Sequence, residues 1–334
     1  MGMRSFDYSR AGTIDEALSL MGQDGDGLVR PLAGGTDLLP LMKCDIVTPT
    51  RLIDIKRVSD LPSGVEETGE GLEIGALTTL SEIETNSVIR ERYTALAEAA
   101  ALAASPQLRN MATIGGNLLQ RPRCWYYRDP HFHCWLKGGD ECFARDGENQ
   151  QHALFGDSPC VAVHPSDLPT ALVALNAEVH LRGSNGERRV PLANFFALPT
   201  EERRTENTLG SDELIVSLRL PTPASGTRST YLKAMDRKVW AFALVGVAAV
   251  VRMDGSEIAD ARVVLGGVAN IPWRVEAAEQ ALIGNAPSDD LAARASEVAV
   301  DGAHPLEHNG YKAPLAKTLV RRAVTELTSQ HRKG

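Results

Sequence analysis

Apolar positions along this chain recur at two periods, and the changes of period mark where elements begin and end. Ile14, Ala17, Leu18 and Met21 fall at helical spacing behind the capping-box pattern Thr13-Ile14-Asp15-Glu16, so a helix is predicted to open there. Residues 28–33 read as a short strand running into Gly34-Gly35, 38–43 as a helical turn and 51–55 as a strand. A first α/β unit therefore closes near residue 57. A strand at 72–75, a second capping box at Ser81-Glu82-Ile83-Glu84 and an alanine-rich helix at 95–104 follow.

Further on, 169–175 reads as a helix, and 178–182 with 188–192 flank Ser184-Asn185-Gly186, a hairpin pattern. Residues 213–220 alternate as a strand ended by Pro221, and 221–226 has the Pro, Gly and Ser content of a linker. Strands at 230–235, 243–253 and 261–268 precede helices at 274–282, 290–298 and 313–329, an α+β order. The longest apolar stretch, 239–251, suits a buried strand or core helix and is too short for a membrane span. Expected units are 1–57, 58–221 with a cysteine-rich insertion at about 120–160, and 226–334.

A formal charge of −8 over 334 residues argues against nucleic acid, whose phosphates need a basic surface. Met1-Gly2-Met3-Arg4-Ser5-Phe6-Asp7-Tyr8 lacks an apolar leader, so no export signal is expected on this stretch. Five cysteines without such a signal fit reduced thiols better than a disulfide framework. Cys44, in an apolar segment four positions after Pro40, reads as a buried, inert thiol.

Candidate chemistry begins at Arg30-Pro31-Leu32-Ala33-Gly34-Gly35-Thr36-Asp37-Leu38. Consecutive glycines after a strand let the backbone approach a ligand and gather N–H groups around a phosphate, with the Thr36 hydroxyl beside them. The pattern is neither GxGxxG nor GxxxxGK[ST], so a nicotinamide Rossmann fold and a P-loop are not indicated. Thr113-Ile114-Gly115-Gly116-Asn117 repeats the chemistry some eighty positions later, and two such loops suit a pyrophosphate held between them. Asp167 is either a ribose acceptor or the N-cap of the helix behind it.

Cys124, Cys134, Cys142 and Cys160 share one irregular stretch with Trp125, Tyr126, Tyr127, Phe132, Trp135 and Phe143, aromatics that would shield a buried centre. Their gaps of nine, seven and seventeen residues contain no short knuckle of the zinc-ribbon kind. Iron–sulfur cubanes also take four thiolates, and spacing alone leaves iron–sulfur and zinc open. His131, His133 and His152 read as surface or outer histidines, since four cysteines suffice. No Ser-His-Asp order, HExxH motif or carboxylate pair marks a hydrolase.

Ala33–Leu38, Gln107-Leu108-Arg109-Asn110, Ala112–Leu118, Asp212-Glu213-Leu214-Ile215 and Val264-Leu265-Gly266-Gly267-Val268-Ala269 together resemble the FAD-binding medium subunit of molybdenum hydroxylases, over nearly the full chain. The resemblance implies an α+β fold: a two-subdomain FAD-binding region of the vanillyl-alcohol-oxidase (PCMH) type, then a C-terminal CO-dehydrogenase-flavoprotein-like domain. It implies FAD contacts at Leu32, Ala33, Gly34, Gly35, Thr36, Asp37, Leu38, Thr113, Gly116 and Asn117, with Asp167, Ile215 and Lys233 as further positions. The cysteine-bearing insertion, with Gln120-Arg121-Pro122-Arg123-Cys124 and Cys160–Asp167, is similar to that of periplasmic aldehyde oxidoreductases. A second branch with such an insertion is the 4-hydroxybenzoyl-CoA reductases. Both imply a [4Fe–4S] cluster on Cys124, Cys134, Cys142 and Cys160. Arg121, Arg123 and Arg128 would then raise its potential, and Lys233 that of the flavin.

The implied partners are a large molybdenum-cofactor subunit, a small [2Fe–2S] subunit and an external electron acceptor. The implied compartment is the periplasm, through a signal on a partner, or otherwise the cytoplasm. Readings from other classes are a self-sufficient flavin oxidase, for which no catalytic base is evident, and a non-catalytic zinc-bearing assembly subunit.

Overall fold

The computed structural model describes residues 3–22 and 28–329. The first two residues of the N-terminal stretch and the last five of the expected C-terminal unit lie outside them. Twelve strands form three sheets among the described residues: β1 (Asp7–Arg10), β2 (Val29–Leu32), β3 (Arg51–Asp54), β4 (Val65–Thr68), β5 (Gly71–Gly75), β6 (Glu178–Gly183), β7 (Gly186–Pro191), β8 (Glu213–Pro221), β9 (Thr227–Ala234), β10 (Val245–Asp254), β11 (Glu257–Gly266) and β12 (Trp273–Arg274).

The first sheet is parallel in the order β1-β3-β2, with the helix Ile14–Gly22 joining β1 to β2. The second is antiparallel, β4-β5-β8-β6-β7, and contains the hairpin expected at residues 184–186. One continuous core joins both sheets, with Ile14, Val29 and Ile53 packed into the same cluster as Leu72, Ile74, Val179 and Leu218. The third sheet, β12-β11-β10-β9, is antiparallel and backed by the helices Glu276–Leu282, Asp289–Val298 and Lys312–Thr328.

Strand β10 explains its own sequence. Val247, Ala249 and Val251 enter the core beneath the C-terminal helices, while Ala248 and Val250 enter the core of the N-terminal sheets. Because successive side chains point to opposite faces, a strand walled on both sides reads as an unbroken apolar run.

The structure corrects four expectations. The second capping box begins at Thr79, whose hydroxyl accepts the Glu82 N–H (3.2 Å) while Glu82 Oε2 accepts the Thr79 N–H (2.7 Å). The apolar run 239–251 is not buried throughout: Val239 (75% exposed), Trp240 (60%) and Phe242 lie in the connection from β9 to β10, where Trp240 takes φ +51°. Cys44 is exposed, because Leu41 and Met42 occupy the inward face and Cys44 is the outward C-cap. Asp167 precedes the helix Leu168–Ala174 without capping it, its side chain being held elsewhere.

Candidate functional site

A cleft of about 690 Å³ opens between the first two sheets, with Trp240, Ala241 and Phe242 of the β9–β10 connection along its edge. Leu32, Ala33, Gly34, Gly35, Thr36, Asp37, Leu38, Thr113, Gly116, Asn117, Asp167 and Ile215 all line it. Of the positions expected to hold FAD, Lys233 alone does not. Its volume falls in the range of small-molecule sites.

The two glycine loops meet at Gly34. A Cβ there would lie 1.9 Å from the Met111 carbonyl oxygen, so only glycine lets the first loop press against the segment leading into the second. Gly35 takes φ +71°, which turns the chain from β2 into the helix Leu38–Lys43. Among the described residues, the N–H groups of Gly34, Gly35, Thr36 and Asp37 find no acceptor in the protein. Four free amides along a cleft wall are the donor set that a diphosphate fits.

The second loop works differently from the expectation that both loops offer their amides. It is the start of the short helix Ile114–Leu118, capped by Thr113. The Ile114 N–H goes to Thr78 O (2.8 Å), Gly115 N–H to Ala76 O (3.0 Å), Asn117 N–H to Thr113 O (2.8 Å) and Gly116 N–H to Thr113 Oγ1 (3.3 Å). This loop shapes the wall, and its Asn117 amide oxygen accepts from the Ser166 hydroxyl.

Asp167 is buried at the cleft edge, where Lys233 Nζ (2.8 Å) and the Tyr231 hydroxyl (2.6 Å) bind its two oxygens. Burial raises its carboxyl above the usual range, and Lys233 and Tyr231 oppose that rise. Lys233 stands behind Asp167 with its side chain 1% exposed and also donates to Leu102 O (3.0 Å). It touches the cleft only through Asp167.

Asp37 ties the first loop to the cysteine segment. Its carboxylate accepts the Arg121 N–H (2.9 Å) and pairs with Arg123 (2.6 Å) and Arg128 (2.8 Å). Arg121 turns its guanidinium to Glu206 (2.7 Å) and the Tyr127 hydroxyl (3.0 Å). The cations expected to face a cluster are thus spent largely on carboxylates.

The four thiols are reduced, Cys134 and Cys160 buried, Cys124 and Cys142 half-buried. Cys134 and Cys160 share a small core with Tyr127, Trp135 and Leu41, against which Cys124 packs. The neighbouring Cys142 and Cys160 thiols are shifted in opposite directions by their mutual interaction, Cys142 down to about 6 and Cys160 up. Burial raises Cys124 to about 11 and also raises Cys134. Among the described residues, no three His, Cys, Asp or Glu side chains are gathered closely enough to hold a single metal ion. Tyr126, Phe132 and Phe143 form a ring cluster, with the Phe132 ring 5.0 Å from Tyr126 and 5.2 Å from Phe143.

His131 and His133 are exposed, but His152 is buried, with Nε2 3.2 Å from Cys124 Sγ. Burial lowers its pKa to about 4. A water-sized chamber of about 30 Å³, lined by Cys124, His152, Ser166, Asp167 and Phe242, lies between the thiols and the cleft.

Sequence reasoning missed Tyr127, Trp240 and Phe242 as cleft residues. In sequence Tyr127 reads only as one of the shielding aromatics, and the other two are concealed in an apolar run. The Pro, Gly and polar punctuation that would mark their loop is absent between Lys238 and Val245 apart from the strained Trp240 itself.

Two family models cover the chain: the FAD binding domain in molybdopterin dehydrogenase over residues 4–223, and the CO dehydrogenase flavoprotein C-terminal domain over 230–327. The chain belongs to this family of molybdopterin-dehydrogenase flavoproteins, with a mixed helix and sheet fold. It is 40% identical to the aldehyde oxidoreductase FAD-binding subunit PaoB of Escherichia coli (strain K12), over 98% of this chain and 100% of that one. It is 31% identical to the carbon monoxide dehydrogenase medium chain of Hydrogenophaga pseudoflava, over 96% of each. Among solved structures, carbon monoxide dehydrogenase from Hydrogenophaga pseudoflava superposes with a TM-score of 0.77 at 32% identity, covering 97% of this chain and 98% of the other. Reconstituted CO dehydrogenase from Oligotropha carboxidovorans gives 0.78 at 27% identity, covering 98% and 99%.

Proposed function

We propose that this chain is the FAD- and [4Fe–4S]-carrying electron-transfer subunit of a heterotrimeric, molybdenum-dependent aldehyde oxidoreductase. The observation that carries the reading is the row of unpartnered amides from Gly34 to Asp37 along a cleft large enough for a dinucleotide. Identity across the full length of an aldehyde oxidoreductase FAD-binding subunit supports the substrate class. Bound FAD would supply the acceptance and onward passage of electrons, which is intrinsic to the cofactor.

The chain's own part is to hold it. Gly34, Gly35, Thr36 and Asp37 would donate their amides to the diphosphate, and Leu32, Ala33, Leu38 and Ile215 would pack on its apolar faces. Thr113, Gly116 and Asn117 shape the opposite wall. Asp167, fixed by Lys233 and Tyr231, would accept a ribose hydroxyl. Cys124, Cys134, Cys142 and Cys160 would ligate the cluster.

The proposed partners are a large molybdenum-cofactor subunit, on which the aldehyde is oxidised, and a small [2Fe–2S] subunit, with an external acceptor for the electrons. Export with a signal-bearing partner would place the complex in the periplasm, and cell fractionation tests this. The two glycine loops contain no histidine or cysteine to bond flavin covalently. Acid precipitation of the purified full-length chain should therefore release its flavin, and metal analysis should find iron with sulfide. Flavin that stays in the precipitate contradicts dissociable FAD. Zinc without iron removes the cluster, and aldehyde turnover by the isolated chain removes the subunit model.

A further inference from the structure

The third sheet lends the cleft a support that lies outside it. Side chains alternate along β9: Leu232 packs on the core beneath the C-terminal helices, whereas Tyr231 enters the core of the first two sheets, with Lys233 on the same side. Tyr231 (2% exposed) and Lys233 (side chain 1%) do not line the cleft, and both end on Asp167, which does. The Tyr231 hydroxyl donates to Asp167 Oδ1 (2.6 Å) and Lys233 Nζ to Oδ2 (2.8 Å), so each carboxylate oxygen is held by one donor. A carboxylate offers about four lone-pair positions, so acceptor capacity remains for a group in the cleft.

The neighbouring strand makes room for this arrangement. Gly246 on β10 pairs with Lys233, and a Cβ at Gly246 would lie 2.4 Å from the Tyr231 hydroxyl oxygen and 3.1 Å from its Cζ. A larger residue there would push the phenol off Asp167. Tyr231 is also fixed at its backbone, where its N–H donates to Glu98 Oε2 (2.7 Å). A buried ion pair often adds no more stability than apolar residues of equal volume. An Asp–Lys pair buried at the rim of a cleft, with a tyrosine aimed at it and a glycine clearing the tyrosine's path, is better explained by binding than by stability.

We propose that Tyr231, given its place by Gly246, is a positioning residue that fixes Asp167 as a hydrogen-bond acceptor and so makes the cleft select cofactors carrying an N–H or O–H donor at that point. This rests on the reading of the cleft as an FAD site. FAD has such donors in its sugar hydroxyls and in the imide N–H of its ring. Without the phenol hydroxyl, Asp167 keeps Lys233 on one oxygen and is free to turn, so its alignment with a ligand donor is lost while the cleft keeps its shape.

The test is Tyr231→Phe in the full-length apoprotein, titrated with FAD, with FAD analogues each lacking one sugar hydroxyl, and with FAD methylated at ring N3. The wild type should bind one analogue about 10-fold more weakly than FAD, and which one it is tells hydroxyl from imide. In Tyr231→Phe the Kd for FAD should rise about 10-fold, and the penalty for that analogue should shrink toward none. Gly246→Ala should do the same with the hydroxyl still present, and it serves if Tyr231→Phe fails to fold. Thr230→Val removes the Thr230–Glu98 bond (3.0 Å) from the same strand without touching Asp167, and should leave the penalty as in the wild type. Variants that keep the wild-type penalty, or that weaken FAD and every analogue alike, overturn the inference alone. A wild type that binds FAD and every analogue equally overturns Asp167 as the acceptor, and one that binds no flavin overturns the FAD reading; the inference falls with either.

Discussion

Replacing Gly34 with alanine should loosen FAD by a calculable amount. The new methyl carbon would lie 1.9 Å from Met111 O and 2.7 Å from Met111 C, both backbone atoms that cannot rotate away. An ordinary C···O contact is about 3.3 Å or more, so the two loops must part by roughly 1.4 Å. Overpacking of this kind costs about 1–3 kcal/mol. At about 1.4 kcal/mol per decade, that corresponds to roughly a 5- to 150-fold rise in Kd if the strain is expressed in the loop.

The loop is where it should be expressed. The N–H groups of Gly34–Asp37 make no hydrogen bonds within the protein and the loop is tied mainly at its far end through the Asp37 side chain, whereas β2 is held along its length by β3. Titrating the apoprotein with FAD, followed by flavin fluorescence, gives Kd, and thermal unfolding of the apoprotein gives Tm. Gly69→Ala is the matched control, since nothing lies within 4 Å of a Cβ at that turn. A Gly34→Ala protein with wild-type Kd and Tm would refute the reasoning. A lowered Tm with unchanged Kd would move the strain into the fold and refute the assignment of the loop as a ligand cradle.

Asp37→Asn keeps the shape of the side chain and strands Arg123 and Arg128, so denaturant unfolding should show a loss of about 2 kcal/mol. Cys124→Ser and Cys160→Ser should each lower iron and sulfide content while flavin content holds, because neither cysteine lines the cleft. His164 is buried, with a pKa lowered by burial to about 4 from 6.5. Between those values the unfolded chain binds the extra proton, so the stability due to neutral His164 is complete above pH 6.5 and declines on acidification toward pH 4. The loss is about 1.4 kcal/mol per pH unit, roughly 2 kcal/mol at pH 5, and His164→Gln should flatten that part of the urea-denaturation profile. Trp240→Gly relieves a left-handed backbone and should leave stability equal or higher by up to about 1 kcal/mol, while FAD affinity falls if the indole covers the cofactor.

What the sequence disclosed was what local chemistry enforces. Two glycines after a strand have a backbone consequence within a few residues, and four thiols in one short segment are visible without a fold. The hairpin at residues 184–186 and the strand ended by Pro221 were legible for the same reason. The second glycine loop looks like the first in sequence, because Gly-Gly does not reveal whether amides are free. Here Ala76 and Thr78 take them up from a turn nearly forty residues upstream. Lys233 is expected among the cofactor positions, but it stands behind Asp167, and only the tertiary ion pair between β9 and that carboxylate sets this. Lys312, buried at the start of the helix Lys312–Thr328, gives no signal at all, since a lysine opening an amphipathic helix is ordinarily a solvated one.

The arginines show how a correct composition reading can carry the wrong consequence. Arg121, Arg123 and Arg128 do crowd the start of the cysteine segment, which would suit a device for offsetting cluster charge. Asp37 and Glu206 neutralise much of that charge, leaving a mechanical connection from the first glycine loop to the residues flanking Cys124. A second connection comes from the C-terminal domain, where the Lys312 ammonium donates to the Gln151, His152 and Gly267 carbonyls. The thiol segment is therefore held from both sides: Asp37 couples it to the wall that would hold the diphosphate, and Lys312 couples it to the third sheet. With two such anchors, a disturbance of the flavin cleft should reach the segment through Asp37, while one in the C-terminal helix should reach it through Lys312.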